Sequence, residues 1–192
     1  MHANIQELTG HFDRGYALDK HSLSSTPDGY YDNGRQRWKT IRTEAGQALY
    51  QLKYRQQRAN ILPLAQAVQT YIVPKLPKFS LIVPMAASNP RPEQPVIAVA
   101  TALGALMNKP VIELLSKSHD GQKLKDLYLR ADKEAALEGT ITLNRKITNN
   151  GCWNALLIDD LYHTGASIDA ACDVLRTYEK IGEIYVATLT WR

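Results

Sequence analysis

The sequence predicts an α/β domain with a mostly parallel central sheet flanked by helices. Three observations predict it: short apolar runs, longer segments with apolar residues at helical spacing, and the alternation of the two along 192 residues. Unbroken apolar runs are typical of strands covered on both faces. Strand–helix–strand units join parallel strands by right-handed crossovers. Because a chain of this length fits one domain, we assign residues 1–192 to a single domain.

The N-terminal part, residues 1–42, is the least periodic. It is rich in Gly, Ser, Asp and Tyr, and residues 21–29 have the composition of turns. We therefore interpret residues 1–42 as a hood-like segment and residues 43–192 as the α/β core. Three tyrosines of the hood could stack on a base, although packing is the simpler interpretation: Tyr16, Tyr30 and Tyr31.

Two helices are predicted at the start of the core. Helical spacing begins at Thr43, and a second helix is expected from about Ile61, with Asn60 as its cap. The apolar face of the first helix contains Ala45, Leu49 and Leu52. That of the second contains Leu64, Ala65, Val68 and Tyr71.

The middle of the core begins with a predicted strand at Leu81–Val83, which Pro84 ends. A helix follows, and Asn108, Lys109 and Pro110 stop it. Its apolar face contains Val96, Val99, Leu103 and Leu106.

Three further segments follow that helix. Residues 111–115 are expected to form the next strand. Residues 116–138 are charged and weakly periodic, which indicates an insertion or an exposed hairpin. Residues 139–143 alternate like a short strand.

The last part has the clearest pattern. Residues 155–158 form a continuous apolar run, as expected of a central parallel strand. A helix follows that Gly182 is expected to end, and then a strand at residues 184–189. The apolar face of this helix contains Ile168, Ala171, Cys172, Leu175 and Tyr178.

Two carboxylates, Asp159 and Asp160, come directly after the apolar run. Ligands of open parallel sheets bind outside the carboxyl ends of the strands. Gly165 lets the backbone approach a phosphate, and Ser167 lies near a helix start, where backbone N–H groups attract anions. Carboxylates repel phosphate but accept hydrogen bonds from vicinal hydroxyls. Together these features predict a site for a ribose 5-phosphate.

The same segment also has simpler interpretations. The segment could be a strand end followed by a helix that Ser167 caps. A Walker B strand is excluded because no GxxxxGK[ST] motif accompanies it. A receiver domain would carry its acidic pair near the N-terminus and a lysine later, which the order of elements does not offer.

Residues 156–167 resemble the phosphoribosyl pyrophosphate loop of type I phosphoribosyltransferases. The resemblance implies a type I phosphoribosyltransferase-like fold and assigns the ribose hydroxyls and catalysis to Asp159 and Asp160. It assigns the 5-phosphate to His163, Thr164, Gly165, Ala166 and Ser167. His163 departs from the family pattern, in which Thr or Ser is common at this position.

The nearest subfamily is ComF-like (competence-associated). Leu52–Arg55 resembles its Leu-Lys-Tyr-Arg stretch, and Ile82–Met85 with Arg91 and Gln94 resembles its pyrophosphate-side loop. The zinc-binding cysteines of many ComF-like proteins are missing, and the arginine-rich loop is reduced to residues 88–93. The resemblance assigns the pyrophosphate to four residues: Met85, Ala86, Arg91 and Lys53.

The activity implied by the resemblance is transfer of phosphoribose from phosphoribosyl pyrophosphate to a nitrogenous base or amine, with release of pyrophosphate. Mg²⁺ would be bound through phosphoribosyl pyrophosphate, and no residue is expected to bind a metal directly. A rival function is a non-catalytic regulator that binds phosphoribosyl pyrophosphate, or an accessory protein in DNA handling. Fold does not decide between them.

Composition narrows the class of protein. The net charge of +4 suits an anionic ligand, but it is smaller than expected of a dedicated nucleic-acid binder, so binding of nucleic acid is possible but not indicated.

The apolar runs are too short for a membrane span, and residues 1–20 carry no signal-peptide pattern. Cys152 and Cys172 form no CxxC pair and are expected to be reduced, in a cytoplasmic protein. A homodimer is one of the assemblies that the sequence leaves open.

Overall fold

A mostly parallel sheet forms the centre of the fold in the computed structural model, which describes residues 1–87, 91, 93–117 and 140–192. In this described part, the sheet has five strands: β1 Gln6–Leu8, β2 Arg14–Ala17, β5 Leu81–Pro84, β8 Trp153–Tyr162 and β9 Ile181–Trp191. They pair in the order β1-β2-β9-β8-β5, and only β1 is antiparallel to its neighbour. The predicted α/β fold with a mostly parallel sheet is confirmed.

Two small two-stranded sheets accompany the central one in the described residues. Their bounds are β3 Ser24–Tyr30 and β4 Gln36–Ile41 for the first, and β6 Leu115–Lys117 and β7 Ile141–Leu143 for the second. The α-helices that the structure describes are α1 Glu44–Arg55, α2 Ile61–Ala67, α3 Pro95–Met107 and α4 Ala166–Arg176. After α2 the chain continues as a π-helical turn, Val68–Ile72. None of the helices described is long and apolar enough to cross a membrane.

Strand β8 lies at the middle of the core. It is parallel to β5 on one side and to β9 on the other, and its residues 155–158 are fully buried. An apolar run without polar interruptions fits this position because helices or loops cover both faces of a central parallel strand. The predicted central strand is confirmed, although it extends further than the apolar run in both directions.

Helix α1 is set against the strand region by its first turn. Thr43 caps it, since its Oγ1 accepts a hydrogen bond of 3.0 Å from the Gly46 N–H. The same hydroxyl donates to the Lys20 carbonyl at 2.5 Å. Gly46 packs so closely on the backbone of His21 that a Cβ would overlap its carbonyl oxygen. The helix start is therefore tied to the segment that follows β2.

The predicted boundary between a hood at residues 1–42 and a core at residues 43–192 is wrong, because part of residues 1–42 belongs to the core. Strands β1 and β2 belong to the central sheet, whereas β3 and β4 form a separate hairpin whose residues are almost all exposed. The two sheet strands have three and four residues, which is too short for a periodic apolar pattern. Tyr16 packs against the core, but Tyr30 and Tyr31 are 70% and 56% exposed, so the expectation that they are packing residues is wrong.

The strand predicted at residues 111–115 is not continuous. Val111 forms an isolated parallel bridge with Ile82, and the chain then leaves the central sheet as β6, which pairs with β7. Pro110 lacks an N–H group for a longer ladder, and the exposed Glu113 interrupts the apolar run. The charged insertion predicted at 116–138 lies outside the described residues from 118 onwards, as do residues 88–90 and 92 of the pyrophosphate-side loop.

Helix ends account for the remaining differences. Asn60 does not cap α2 with its side chain, because a 3₁₀ turn precedes the helix and the Asn60 amide donates to Gln51 Oε1 at 3.2 Å. Helix α4 ends at Arg176, whereas Gly182 lies within β9. Leu106, predicted on the apolar face of α3, is 38% exposed. Asn108 ends that helix in the left-handed conformation, with φ 51°, as the predicted stop requires.

Candidate functional site

The two acidic residues lie where β8 runs beyond its neighbour. Strand β5 pairs with β8 up to Pro84, which is opposite Ile158, so Asp159 is the first residue of β8 without a β5 partner. On the other side, Asp159 remains paired with Thr188 of β9. The end of the shorter strand thus opens a space beside the carboxylates. This is the edge of a parallel sheet at which ligands bind.

A cavity of about 240 Å³ occupies that space. It brings together seven of the site residues predicted from the sequence, and the loop residues 163–166 are not in its lining. The predicted residues in the lining are Lys53, Met85, Ala86, Arg91, Asp159, Asp160 and Ser167. They come from the C-terminal half of α1, the loop after β5, the end of β8 and the first turn of α4.

Asp160 is bound by a lysine of α1. Lys53 Nζ lies 2.8 Å from Asp160 Oδ2, and each side chain is only 21% exposed. The Lys53 carbonyl accepts a hydrogen bond of 2.6 Å from Arg91 Nη1. The cationic residues that the resemblance assigns to pyrophosphate are therefore linked to each other and to the acidic pair.

Asp159 is the titratable group with the most perturbed environment in the cavity. Burial, and to a smaller extent the neighbouring Asp160 carboxylate, raise the pKa of Asp159 to about 8 against the opposing effects of the Asp160 N–H, Lys53 and Lys117. The Asp160 N–H donates to Asp159 Oδ1 at 2.7 Å. At neutral pH the pair therefore carries about one negative charge in place of two.

Asp159→Asn is expected to stabilise the protein more at pH 8 than at pH 5. Because the folded-state pKa is raised, the folded protein keeps a proton that the unfolded chain releases above the ordinary carboxyl range. The group therefore lowers the free energy of unfolding progressively up to about pH 8. The variant should gain roughly 1–3 kcal/mol over wild type at pH 8.

Urea unfolding of both proteins at pH 5 and pH 8 measures this difference. Asp173→Asn, an exposed carboxylate of α4, is the control and should follow wild type at both pH values. An equal stability difference between Asp159→Asn and wild type at the two pH values would contradict the raised pKa.

The turn between β8 and α4 has the geometry of an anion site. Gly165 precedes the helix with φ 84°, and its carbonyl accepts from the Ile168 and Asp169 N–H groups at 2.9 Å each. Ser167 is the second residue of the helix and does not cap it, so the capped-helix interpretation is wrong in that detail. The first N–H groups of a helix lack intrahelical partners and carry partial positive charge, which suits a phosphate.

An acidic side chain in the first turn of α4 would oppose such an anion. Asp169 is buried and directed elsewhere: its Oδ1 accepts from the His11 N–H at 2.8 Å. The side chain of Ser167 lines the cavity of the acidic pair. The start of α4 and the two carboxylates therefore border one space, whereas His163, on the turn between them, is exposed.

Lys117 is a cavity residue that the sequence did not single out. It lines the same cavity, burial lowers the pKa of its ammonium, and Asp159 raises that pKa. In the sequence it is one of several lysines in a charged segment, and only the β6–β7 pairing brings it to the site. Charge alone could not have distinguished it from surface lysines.

His21 was also missed. Its Nδ1 lies 3.2 Å from Thr190 Oγ1, and that hydroxyl donates to the Asp160 carbonyl at 2.8 Å. The Thr190 hydroxyl donates its one proton to the Asp160 carbonyl. It must therefore accept a hydrogen bond from an N–H group at His21 Nδ1. Burial lowers the pKa of His21, and Arg42, Arg192 and Lys53 lower it further. The neutral His21 ring therefore holds the Thr190 hydroxyl, which in turn holds the backbone carbonyl of Asp160.

Comparison with known proteins bears on the fold. No protein-family model and no curated protein matches the sequence. Among solved structures, adenine phosphoribosyltransferase from Trypanosoma brucei, in complex with AMP, pyrophosphate and ribose-5-phosphate, is similar over 98% of this chain and 74% of its own, with 12% identity and a TM-score of 0.51. At this identity the similarity concerns the fold, which is that of the type I phosphoribosyltransferases.

Two further solved structures are similar over most of this chain. Orotate phosphoribosyltransferase from Aeropyrum pernix shares 18% identity over 83% of this chain and 71% of its own, with a TM-score of 0.42. UMP synthase from Leishmania donovani shares 15% identity over 85% of this chain, with a TM-score of 0.43. This chain spans 28% of the length of that enzyme.

Proposed function

We propose that the protein is a phosphoribosyltransferase of the ComF-like subfamily, without its zinc module. It binds phosphoribosyl pyrophosphate and transfers phosphoribose to a nitrogenous acceptor, releasing pyrophosphate. The observation that carries this proposal is the position of Asp159 and Asp160 directly beyond the end of β5, beside the start of α4. Carboxylates that accept from a diol next to an anion-binding turn suit a ribose 5-phosphate better than other common ligands.

The two ends of the substrate have separate binding groups in this proposal. The 5-phosphate is received by residues 163–167, where backbone N–H groups and the Thr164 and Ser167 hydroxyls can donate. The pyrophosphate is received by Lys53, Arg91 and the backbone of Met85 and Ala86, which line the cavity with the acidic pair. A planar guanidinium is well suited to phosphate oxygens.

Substrate binding requires Lys53 to change partner. The Lys53 ammonium donates to Asp160 Oδ2 at 2.8 Å. The ribose hydroxyls must donate to the same oxygen when the substrate binds. The pyrophosphate supplies a new anionic partner for Lys53, and the hydroxyls replace the ammonium on Asp160. No buried charge is left unpaired by this exchange, which keeps its free-energy cost small.

Mg²⁺ is part of the proposal through the substrate. Residues 1–87, 91, 93–117 and 140–192 contain no group of three or more His, Cys, Asp or Glu that could hold a metal ion. Mg²⁺ keeps several of its waters and binds substrate phosphates, so it would be held through phosphoribosyl pyrophosphate and not directly by a residue of the chain. When bound, the ion would neutralise charge on the pyrophosphate.

In the transfer step the bond from C1 of the ribose to the pyrophosphate oxygen breaks, and a bond from C1 to the acceptor nitrogen forms on the opposite face. The positive charge that develops on the ribose is stabilised by the acidic pair, and Lys53 and Arg91 stabilise the negative charge on the leaving group. The acceptor nitrogen loses its proton to solvent. The protein acts by positioning and by charge.

The test is pyrophosphate release from phosphoribosyl pyrophosphate with Mg²⁺ and a panel of purine, pyrimidine and amine acceptors. At least one acceptor is expected to support release above the rate measured without acceptor. Tight binding of phosphoribosyl pyrophosphate with no turnover on any acceptor would instead favour the non-catalytic regulator. A salt-sensitive shift of single-stranded DNA that ignores the ligand would favour the accessory role in DNA handling.

The cellular location is part of the same proposal. Both cysteines are free thiols, Cys152 exposed and Cys172 buried in the core. Free thiols are typical of reducing compartments, which supports a cytoplasmic protein.

A further inference from the structure

A second and larger cavity lies next to the cavity of the acidic pair. Its volume is about 580 Å³, within the range of small-molecule binding sites. It lies between the C-terminal end of α1 and the loop that carries Arg91 and Glu93. The two cavities share Lys53 and Arg91. A ligand in the second cavity would therefore reach the cations that we assign to pyrophosphate.

The charges around this cavity favour an anion. Among the residues that the structure describes, its lining contains three cationic side chains, Lys53, Arg58 and Arg91, and one acidic side chain, Glu93. Arg58 Nη2 contacts Glu93 Oε1 at 2.6 Å, and this pair is exposed enough for water or a ligand to replace the contact. An excess of two positive charges in one cavity is suited to a group with several negative charges, such as a diphosphate.

An aromatic surface adjoins these cations. Tyr54 lines the cavity and is 61% exposed, and its ring lies 5.2 Å from the ring of Tyr50 one turn earlier in α1. The Arg91 guanidinium lies 5.4 Å from the Tyr54 ring, and that of Arg42 lies 4.0 Å from the Tyr50 ring. The four side chains form a row that holds Tyr54 in place. An exposed, supported aromatic ring is a stacking surface for a planar base.

We propose that the second cavity binds a nucleoside diphosphate, with its base on Tyr54 and its phosphates on Lys53, Arg58 and Arg91. The terminal phosphate then occupies the place of the pyrophosphate of the substrate, so the nucleotide competes with phosphoribosyl pyrophosphate. The competition rests on the proposed function, whereas binding of the nucleotide does not. Such a site would let nucleotide supply regulate the use of phosphoribosyl pyrophosphate.

Calorimetric titration of the protein with ADP, GDP and inorganic pyrophosphate tests the proposal without requiring turnover. Tyr54→Leu is expected to weaken binding of ADP about tenfold, which is the scale of one base–aromatic stack, and to leave binding of pyrophosphate unchanged. Tyr30→Leu, at an exposed tyrosine of the β3–β4 hairpin that lines neither cavity, is the matched control and should bind ADP like wild type. The melting temperatures of both variants confirm that they fold.

Two further measurements separate this site from the acidic pair. ADP should displace phosphoribosyl pyrophosphate from the wild-type protein, and a protein with Asp159→Asn and Asp160→Asn should still bind ADP. Loss of ADP binding in that double variant would place the nucleotide in the cavity of the acidic pair and overturn the proposal. Failure of ADP and GDP to bind, equal ADP affinity of Tyr54→Leu and wild type, or binding of ADP without displacement would overturn it as well.

Discussion

Replacing Asp159 and Asp160 together by Asn is expected to lower kcat/KM for phosphoribosyl pyrophosphate about a thousandfold, because two or more charge-assisted hydrogen bonds to the ribose hydroxyls are lost. Asn keeps the size of each side chain but removes the charge that stabilises the ribose as pyrophosphate leaves. Lys53 also loses its ionic partner on β8. Pyrophosphate release with the best acceptor of the panel measures the effect.

A second double variant provides the control for charge and for stability. Asp28 and Asp173 are exposed carboxylates in surface ion pairs with Arg37 and His11. Asp28→Asn with Asp173→Asn removes the same number of carboxyl groups and should leave kcat/KM within about twofold, since surface pairs contribute little. Turnover within tenfold of wild type in the Asp159 and Asp160 variant would contradict the assignment of the ribose to the acidic pair.

Gly165→Ala is expected to weaken binding of ribose 5-phosphate and phosphoribosyl pyrophosphate about 10- to 100-fold, because a shift of about 1 Å at a positioned group has effects of this size. The backbone at Gly165 has φ 84°, which is unfavourable for residues with a side chain, and an added Cβ would lie 2.9 Å from the Tyr162 hydroxyl. The turn must move to relieve the backbone strain and the close contact with Tyr162, and its N–H groups move with it. Equilibrium binding of ribose 5-phosphate measures the loss.

Gly34→Ala is the matched control for backbone strain. Gly34 has φ 75° in the turn of the β3–β4 hairpin, and an added Cβ would meet nothing within 4 Å. This variant should carry a similar conformational cost in the folded state and keep wild-type affinity for both ligands. Unchanged affinity of Gly165→Ala would show that the turn does not hold the phosphate.

The core of the fold could be predicted because its signals are local. The apolar run 155–158 indicates a central strand, and the spacing of Ala45, Leu49 and Leu52 indicates a helix, without knowledge of their partners. Strands β1 and β2 were missed because three or four residues cannot establish a period. Their place in the sheet depends on pairing with β9, which local sequence does not encode.

The residues of the candidate site likewise fall into those that local sequence predicts and those that only tertiary contacts bring to the site. Asp159, Asp160 and the turn to α4 are contiguous in the chain, so their types and order sufficed to predict them. Lys117 and His21 reach the site only through the β6–β7 sheet and the contacts of Thr190. Lys117 is one of several lysines in a charged segment, and His21 lies in a turn-rich segment. Neither pattern indicates such contacts. The second cavity is likewise a product of packing between α1 and the loop before α3.

The place of β2 in the central sheet has a consequence for how the chain folds. Arg14 pairs with Tyr185, so two neighbouring strands of the sheet come from opposite ends of the described chain. Closing so long a loop costs entropy before any contact between these strands compensates for it, and folds rich in such contacts fold slowly. On the ribosome, β1 and β2 cannot dock until β9 has emerged. The pair of N-terminal strands must therefore wait for its β9 partner until that strand has been synthesised, and the sheet is completed last at that edge.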